Sequence, residues 1–139
     1  MLVKEVMTRN VVSIDADASV FDACMIYKER KVGCLVVVEN ENCAGIVTER
    51  DLIERSICQR RNPDTTPVKK IMSLNIKVVN ALDTIEKALE IMKQYKIKKL
   101  PVISAGKVTG IITMTDIAEA RPDLSKRFMD SWVKQQWRD

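Results

Sequence analysis

The chain predicts a mixed α/β fold: two β-α-β-β-α repeats packed as a pseudo-twofold pair, followed by a C-terminal helix. Three observations carry this. A shift of 65 residues lays Val3–Ile53 over Val68–Ala118 without a gap, and fifteen positions are identical, among them Val3, Met7, Ala16, Leu35, Gly45, Thr48 and Asp51. Ordinary residue frequencies would give roughly three. Within each copy, apolar residues recur at helical spacing in one stretch and form short continuous runs in others. Finally, 139 residues that are 46% hydrophobic and 30% charged suit one soluble domain, or two small halves around shared apolar contacts.

Taken in order, Val3–Thr8 is a short lead-in segment and Val11–Ile14 a brief strand. Ser19 opens a helix with Asp22 as capping partner, and Val20, Ala23, Cys24 and Tyr27 form its inward stripe. Lys28–Lys31 is a basic helix end, which suits the helix dipole. Cys34–Val38 is apolar throughout and predicts a strand covered on both faces. Glu39–Asn42 is a polar hairpin turn, and Gly45–Val47 the returning strand. The helix after Thr48 is expected to turn Leu52, Ile53 and Ile57 inward. Residues 59–67 carry Pro63 and Pro67 and read as a linker.

The second copy repeats this order. Ile76–Val79 is the short strand. Asp83 caps a helix whose inward stripe is Ile85, Ala88, Leu89 and Met92. Leu100–Ile103 and Val108–Ile112 form a hairpin around Ala105-Gly106. The helix after Thr113 stops by Arg121, because Pro122 cannot continue it. Beyond the repeat, Leu124, Phe128 and Trp132 lie at i, i+4 and i+8, with Met129, Val133 and Trp137 beside them. They predict an amphipathic helix that packs on its own domain or docks a partner. The expected domains are 1–58, 68–121 and the helix 122–139, with 59–67 between the first two.

Several function classes lose ground on composition. The longest apolar runs are about five residues, far below the ~20 that cross a bilayer. The start Met1-Leu2-Val3-Lys4-Glu5 has no basic-then-apolar signal pattern, so a cytoplasmic protein with reduced thiols is expected. Cys24, Cys34, Cys43 and Cys58 form no Cys-x-x-Cys pair and the chain has no His, which disfavours a metal site and acid–base catalysis near neutral pH. A net charge of +4 permits an anionic ligand without demanding nucleic acid.

The feature that carries chemistry is Gly45-Ile46-Val47-Thr48-Glu49-Arg50-Asp51, which returns as Gly110-Ile111-Ile112-Thr113-Met114-Thr115-Asp116. Each copy predicts an apolar strand running into a helix start, with a hydroxyl and a carboxylate three residues apart. Helix N-termini present N–H groups to phosphate, and an Asp one turn in can accept from two neighbouring sugar hydroxyls. The same spacing also makes a capping box.

These pieces, with Val6-Met7-Thr8, Ile71-Met72-Ser73 and Leu100-Pro101-Val102-Ile103, resemble a tandem pair of cystathionine-β-synthase (CBS) domains, the regulatory pair also called a Bateman module. The resemblance covers Val3–Ala118. It implies a non-catalytic, ligand-sensing module that binds AMP, ADP, ATP or S-adenosylmethionine in two clefts between the halves. It assigns Asp51 and Asp116 to the ribose hydroxyls and Thr48 and Thr113 to the ribose–phosphate end. Arg50 and Thr115 would reach phosphate. The purine edge would be read near Val11–Ser13 or Ile76–Val78, and the walls would include Cys34, Lys99 and Pro101. No cofactor beyond that ligand is implied.

The resemblance also implies a homodimer; with no separate effector domain read in the chain, the output would be an unidentified protein partner or the Trp-bearing tail. Three other readings stand beside this one. They are a structural dimerisation module with degenerate clefts, a nucleic-acid binder using Lys93, Lys96, Lys98, Lys99 and Arg60-Arg61, and, weakest, an enzyme. Neither nucleic acid nor a membrane is the expected partner.

Overall fold

A computed structural model describes residues 1–74, 76–124, 126, 127 and 130. The elements are α1 (Val3–Val6), β1 (Ser13–Asp15), α2 (Val20–Arg30), β2 (Cys34–Glu39), β3 (Asn42–Thr48), α3 (Glu49–Asp51), β4 (Val79–Asn80), α4 (Ile85–Tyr95), β5 (Lys99–Ser104), β6 (Lys107–Thr113) and α5 (Met114–Ala120). The fold is mixed α/β with two three-stranded sheets, ordered β1-β2-β3 and β4-β5-β6. In each sheet the first pair is parallel and the second antiparallel. The antiparallel ladders share a detail that marks them as copies. The register slips between Val37 and Val38 in one and between Val102 and Ile103 in the other, 65 residues apart.

The described chain forms two compact units, and these are not cut where the repeats are. One unit holds Met1–Asn10 and Lys77–Asp139; the other holds Val11–Ile76. Each lead-in segment therefore belongs with the sheet of the other repeat. Val3 is fully buried in a core with Ile85, Met92, Leu100 and Ile112. Val68 and Ile71 are fully buried with Leu35, Val37 and Val47. Apolar burial of that kind stabilises by about 1.5–3 kcal/mol per large side chain, which holds each lead-in to its unit.

Ser19 caps α2 in a capping box with Asp22, as expected. Leu35, Val36 and Val37 are buried in succession, so β2 is covered on both faces. Both hairpins turn on two residues at positive φ, Asn40-Glu41 (52° and 67°) and Ala105-Gly106 (52° and 78°). Such turns match strand twist but favour Gly or Asn, so Glu41 and Ala105 are the strained members.

Four expectations are corrected. Thr84, not Asp83, caps α4: its hydroxyl accepts from the Lys87 N–H. Asp83 instead accepts from the Asn80 N–H, in the preceding turn. The first strand is Ser13–Asp15 rather than Val11–Ile14, although Val12 still takes a sheet bond from the Val36 N–H. Its counterpart is only Val79–Asn80, not Ile76–Val79. The cause is at the position facing it. Pro101 replaces Val36 and has no N–H, so the bond that Val36 gives Val12 cannot be given to Lys77.

The fourth correction is Ile53 and Ile57, which are 53% and 67% exposed while Leu52 and Ser56 are buried. After Asp51 the chain widens into a π-helical stretch, Leu52–Ser56, and closes with a 3-10 turn, Ile57–Gln59. That turns the inward line to Leu52 and Ser56. Cys24, Tyr27 and Leu89 are half-buried rather than enclosed.

The segment 59–67 is held to its unit. Thr66 is buried, and its carbonyl accepts from the Val20 N–H. In the C-terminal extension, residues 122–124, 126, 127 and 130 are helical and Leu124 packs against the core of its unit. Phe128, Met129, Trp132, Val133 and Trp137 lie outside the described residues.

Candidate functional site: two carboxylate corners

Each corner begins where an apolar strand ends. Thr48 is extended (φ −108°, ψ 167°), and its hydroxyl accepts from the Asp51 N–H at 3.2 Å. Asp51 Oδ2 returns the contact, accepting from the Thr48 N–H at 3.0 Å. In the second copy the distances are 3.1 and 3.0 Å between Asp116 and Thr113. Both corners are thus capping boxes, so the capping and ribose-binding readings draw on the same atoms.

A third residue completes each corner. Ser73 Oγ donates to both oxygens of Asp51 at 3.1 Å, and Thr8 Oγ1 donates to those of Asp116 at 3.1 and 3.4 Å. Ser73 and Thr8 occupy the same position in their repeats, at the end of the lead-in segment. Ser73 exchanges backbone hydrogen bonds with Ile46, and Thr8 with Ile111. This close crossing explains two glycines. A Cβ on Gly45 would lie 2.6 Å from the Ser73 carbonyl oxygen. One on Gly110 would lie 2.6 Å from Met7 Sδ and 2.9 Å from the Thr8 carbonyl oxygen. The shared Gly-Ile-x-Thr-x-x-Asp pattern therefore also serves to fasten a lead-in segment.

The corners differ around the acid. Asp51 is 6% exposed, and Arg55, one turn on, reaches its Oδ1 with Nε at 3.6 Å. Asp116 is half-buried, and the position matching Arg55 is Ala120. Arg50, expected at phosphate, lies along the helix surface with Nε 3.0 Å from Glu54. Thr115 is exposed. The helix starts also offer less to phosphate than the sequence suggested. In α5 the Met114 N–H bonds the Lys98 carbonyl and the Asp116 N–H bonds Thr113 Oγ1.

The residues expected to form the walls and read the purine edge lie toward one end of each sheet. Cys34 faces Thr48 across the β2–β3 ladder, while Val12 pairs by its carbonyl with Val36 and brings Val11 and Ser13 to that end. Lys99 faces Thr113 and Pro101 faces Ile111, with Val78 beside the start of β4. Val78 belongs to the second-repeat unit, but Ile76 belongs to the other. Sequence reasoning missed Arg55 and the roles of Ser73 and Thr8. The i, i+4 spacing from Asp51 and the paired hydroxyls 65 residues apart were the available signals.

An apolar groove of about 540 Å³ lies elsewhere on the first-repeat unit, between α2 and the π-helical stretch, and includes Tyr27, Val32, Leu52, Ile53 and Ile57. Of the Thr48–Asp51 corner only Glu49 lines it. Tyr27 donates to the Val47 carbonyl at 2.6 Å, tying α2 to the strand that leads into the corner, and burial pushes its phenol above the ordinary range. Among the described residues no cluster of His, Cys, Asp or Glu could hold a metal, and no helix is long and apolar enough to cross a membrane.

Comparison with known proteins agrees with the duplicated architecture. The CBS domain family model matches twice, over residues 3–57 and 68–123. CBS domain-containing protein YhcV of Bacillus subtilis is 31% identical over 116 residues, which cover 84% of this chain and 82% of that protein. Uncharacterized protein MJ0450 of Methanocaldococcus jannaschii is also 31% identical, over 80% of this chain but 61% of its own length. The chain thus spans about three-fifths of that relative. The CBS domain pair of protein MJ0100, solved in complex with 5′-methylthioadenosine and S-adenosyl-L-methionine, has the same fold. It superposes with a TM-score of 0.75 at 22% identity, covering 86% of this chain and 94% of that one. With both repeats matched, the chain belongs to the CBS domain family.

Proposed function

We propose that this CBS pair is a regulatory sensor that binds an adenosine-containing ligand (AMP, ADP, ATP or S-adenosylmethionine), performs no chemistry on it, and acts through a protein partner. The observation that carries the reading is the duplicated corner, a carboxylate held one turn into a helix beside a strand end. Its acceptor geometry suits the adjacent hydroxyls of a ribose. Thr48 and Thr113 would line the ribose–phosphate end, Arg50 and Thr115 would reach phosphate, and Lys99, Pro101 and Cys34 would form the walls, with Val11, Ser13, Ile76 and Val78 near the purine edge. That MJ0100's CBS pair was solved with two adenosyl compounds supports this ligand class. The functional halves in this reading are 1–58 and 68–121, with 59–67 as connector and 122–139 as a C-terminal helix.

The same proposal includes a homodimer, supported by the exposed Ile53 and Ile57 beside the apolar groove. It includes a cytoplasmic setting, consistent with thiols at Cys24, Cys43 and Cys58 that are not in disulfides. One observation favours a purely structural module instead: Asp51 is buried and bonded on both oxygens.

A thermal shift separates the readings. Ligand at 100 times its dissociation constant stabilises by about 2.7 kcal/mol, a rise on the order of 9 °C for a chain this size. Titration calorimetry of the Asp51→Ala/Asp116→Ala double variant then tests the ribose assignment. Loss of binding supports it, and unchanged binding refutes it.

A further inference from the structure

We propose that the two corners are not equivalent, and that the second one, at Asp116, is the exchangeable adenosine site while the first is closed by its own side chains. This rests on the adenosine-sensor reading and ranks its two sites. Two independent substitutions between the repeats point the same way.

The first concerns the acid. Both Asp51 oxygens take the Ser73 hydroxyl, Oδ2 also takes the Thr48 N–H, and Oδ1 lies 3.6 Å from the Arg55 guanidinium. A ribose diol arriving there must displace a hydroxyl from a buried, ion-paired carboxylate. At Asp116 the cation one turn on is replaced by Ala120, the carboxylate is half-buried, and the Thr8 hydroxyl sits unevenly at 3.1 and 3.4 Å. Exchanging one neutral hydroxyl for another is there close to an even trade.

The second concerns the backbone. Val36 donates its N–H to the Val12 carbonyl and so commits that carbonyl to the sheet. Pro101 has no N–H, so the Lys77 carbonyl is not committed in this way, and β4 begins only at Val79. A carbonyl beside the sheet end is the acceptor that an exocyclic purine amine requires. Arg55, Ala120, Val36 and Pro101 are therefore the specificity-determining positions, and Thr8 is the hydroxyl that the incoming diol displaces.

The test is calorimetric titration of AMP into the full chain and three variants, with each fold checked by melting temperature. The account predicts one site per chain in the wild type. Ala120→Arg, which moves the first corner's closure into the second, should weaken AMP at least tenfold. Pro101→Val, which restores the N–H without adding charge, should weaken it several-fold and stands in if Ala120→Arg does not fold. Arg55→Ala should leave the first affinity unchanged and add a second, weaker site. Two equal sites in the wild type, or affinities within twofold in both Ala120→Arg and Pro101→Val, would overturn the ranking while leaving the sensor reading intact. No heat with AMP, ATP or S-adenosylmethionine in either the wild type or Arg55→Ala would overturn both.

Discussion

The first-repeat corner is tightly locked, and its twin is loosely so. Both fasten a lead-in segment through a hydroxyl, a strand crossing and a glycine, yet only Asp51 is enclosed and ion-paired. A duplicated motif can thus keep its structural duty in both copies while its capacity for exchange with solvent diverges. What separates the two is not the motif but residues one helical turn or one strand away from it. The fastening and the proposed ligand contact use the same carboxylate, so in the proposed sensor occupancy would be linked to the hold on a lead-in segment.

The comparison can be broken most sharply at the glycines. Gly45→Ala drives a methyl to 2.6 Å from a backbone oxygen, whereas Gly110→Ala meets the flexible end of Met7 and a backbone oxygen at the longer distance of 2.9 Å. We expect about 2–3 kcal/mol lost for Gly45→Ala and about 1–2 kcal/mol for Gly110→Ala, read from urea midpoints. Similar losses would mean that the crossings are equally rigid.

The lead-in hydroxyls come next. Ser73→Ala removes a donor to a buried carboxylate and should cost about 1.5–2 kcal/mol. Thr8→Ala, at the more exposed acid, should cost about 1 kcal/mol or less. Amide exchange at the Ile46 and Ile111 crossings would show whether each loss is local.

The hairpins give a smaller contrast of the opposite sign. Glu41 holds the left-handed conformation that Gly106 holds in the other repeat. Glu41→Gly should raise stability by about 1 kcal/mol, and a melting curve checks it. Smallest is Ser56, whose buried Oγ has no hydrogen-bond partner among the described residues. Ser56→Ala should be neutral or stabilising by up to about 1 kcal/mol, and a clear loss would reveal a partner for that hydroxyl.

The sequence made the architecture readable because duplication is a global signal. It survives in Gly45 and Gly110, in Thr48 and Thr113, and in the apolar runs that became β2 and β5. Applied consistently, the same offset would also have moved the second cap from Asp83 to Thr84, the counterpart of Ser19. Other features were not legible for local reasons. A π-helical turn leaves no distinct pattern, so Ile53 and Ile57 looked like core residues. Pro101 was visible, but its effect on β4 depends on which carbonyl faces it across the sheet. Arg50 stood next to the acid in sequence, yet Arg55 is the one that reaches it, because side chains four apart share a helix face.

The most direct test of the central claim is a side-by-side AMP titration of Asp51→Asn and Asp116→Asn, each shown to be folded. The account predicts at least a tenfold loss of affinity in Asp116→Asn and less than a twofold change in Asp51→Asn. A larger loss in Asp51→Asn, or equal losses in both, would contradict it.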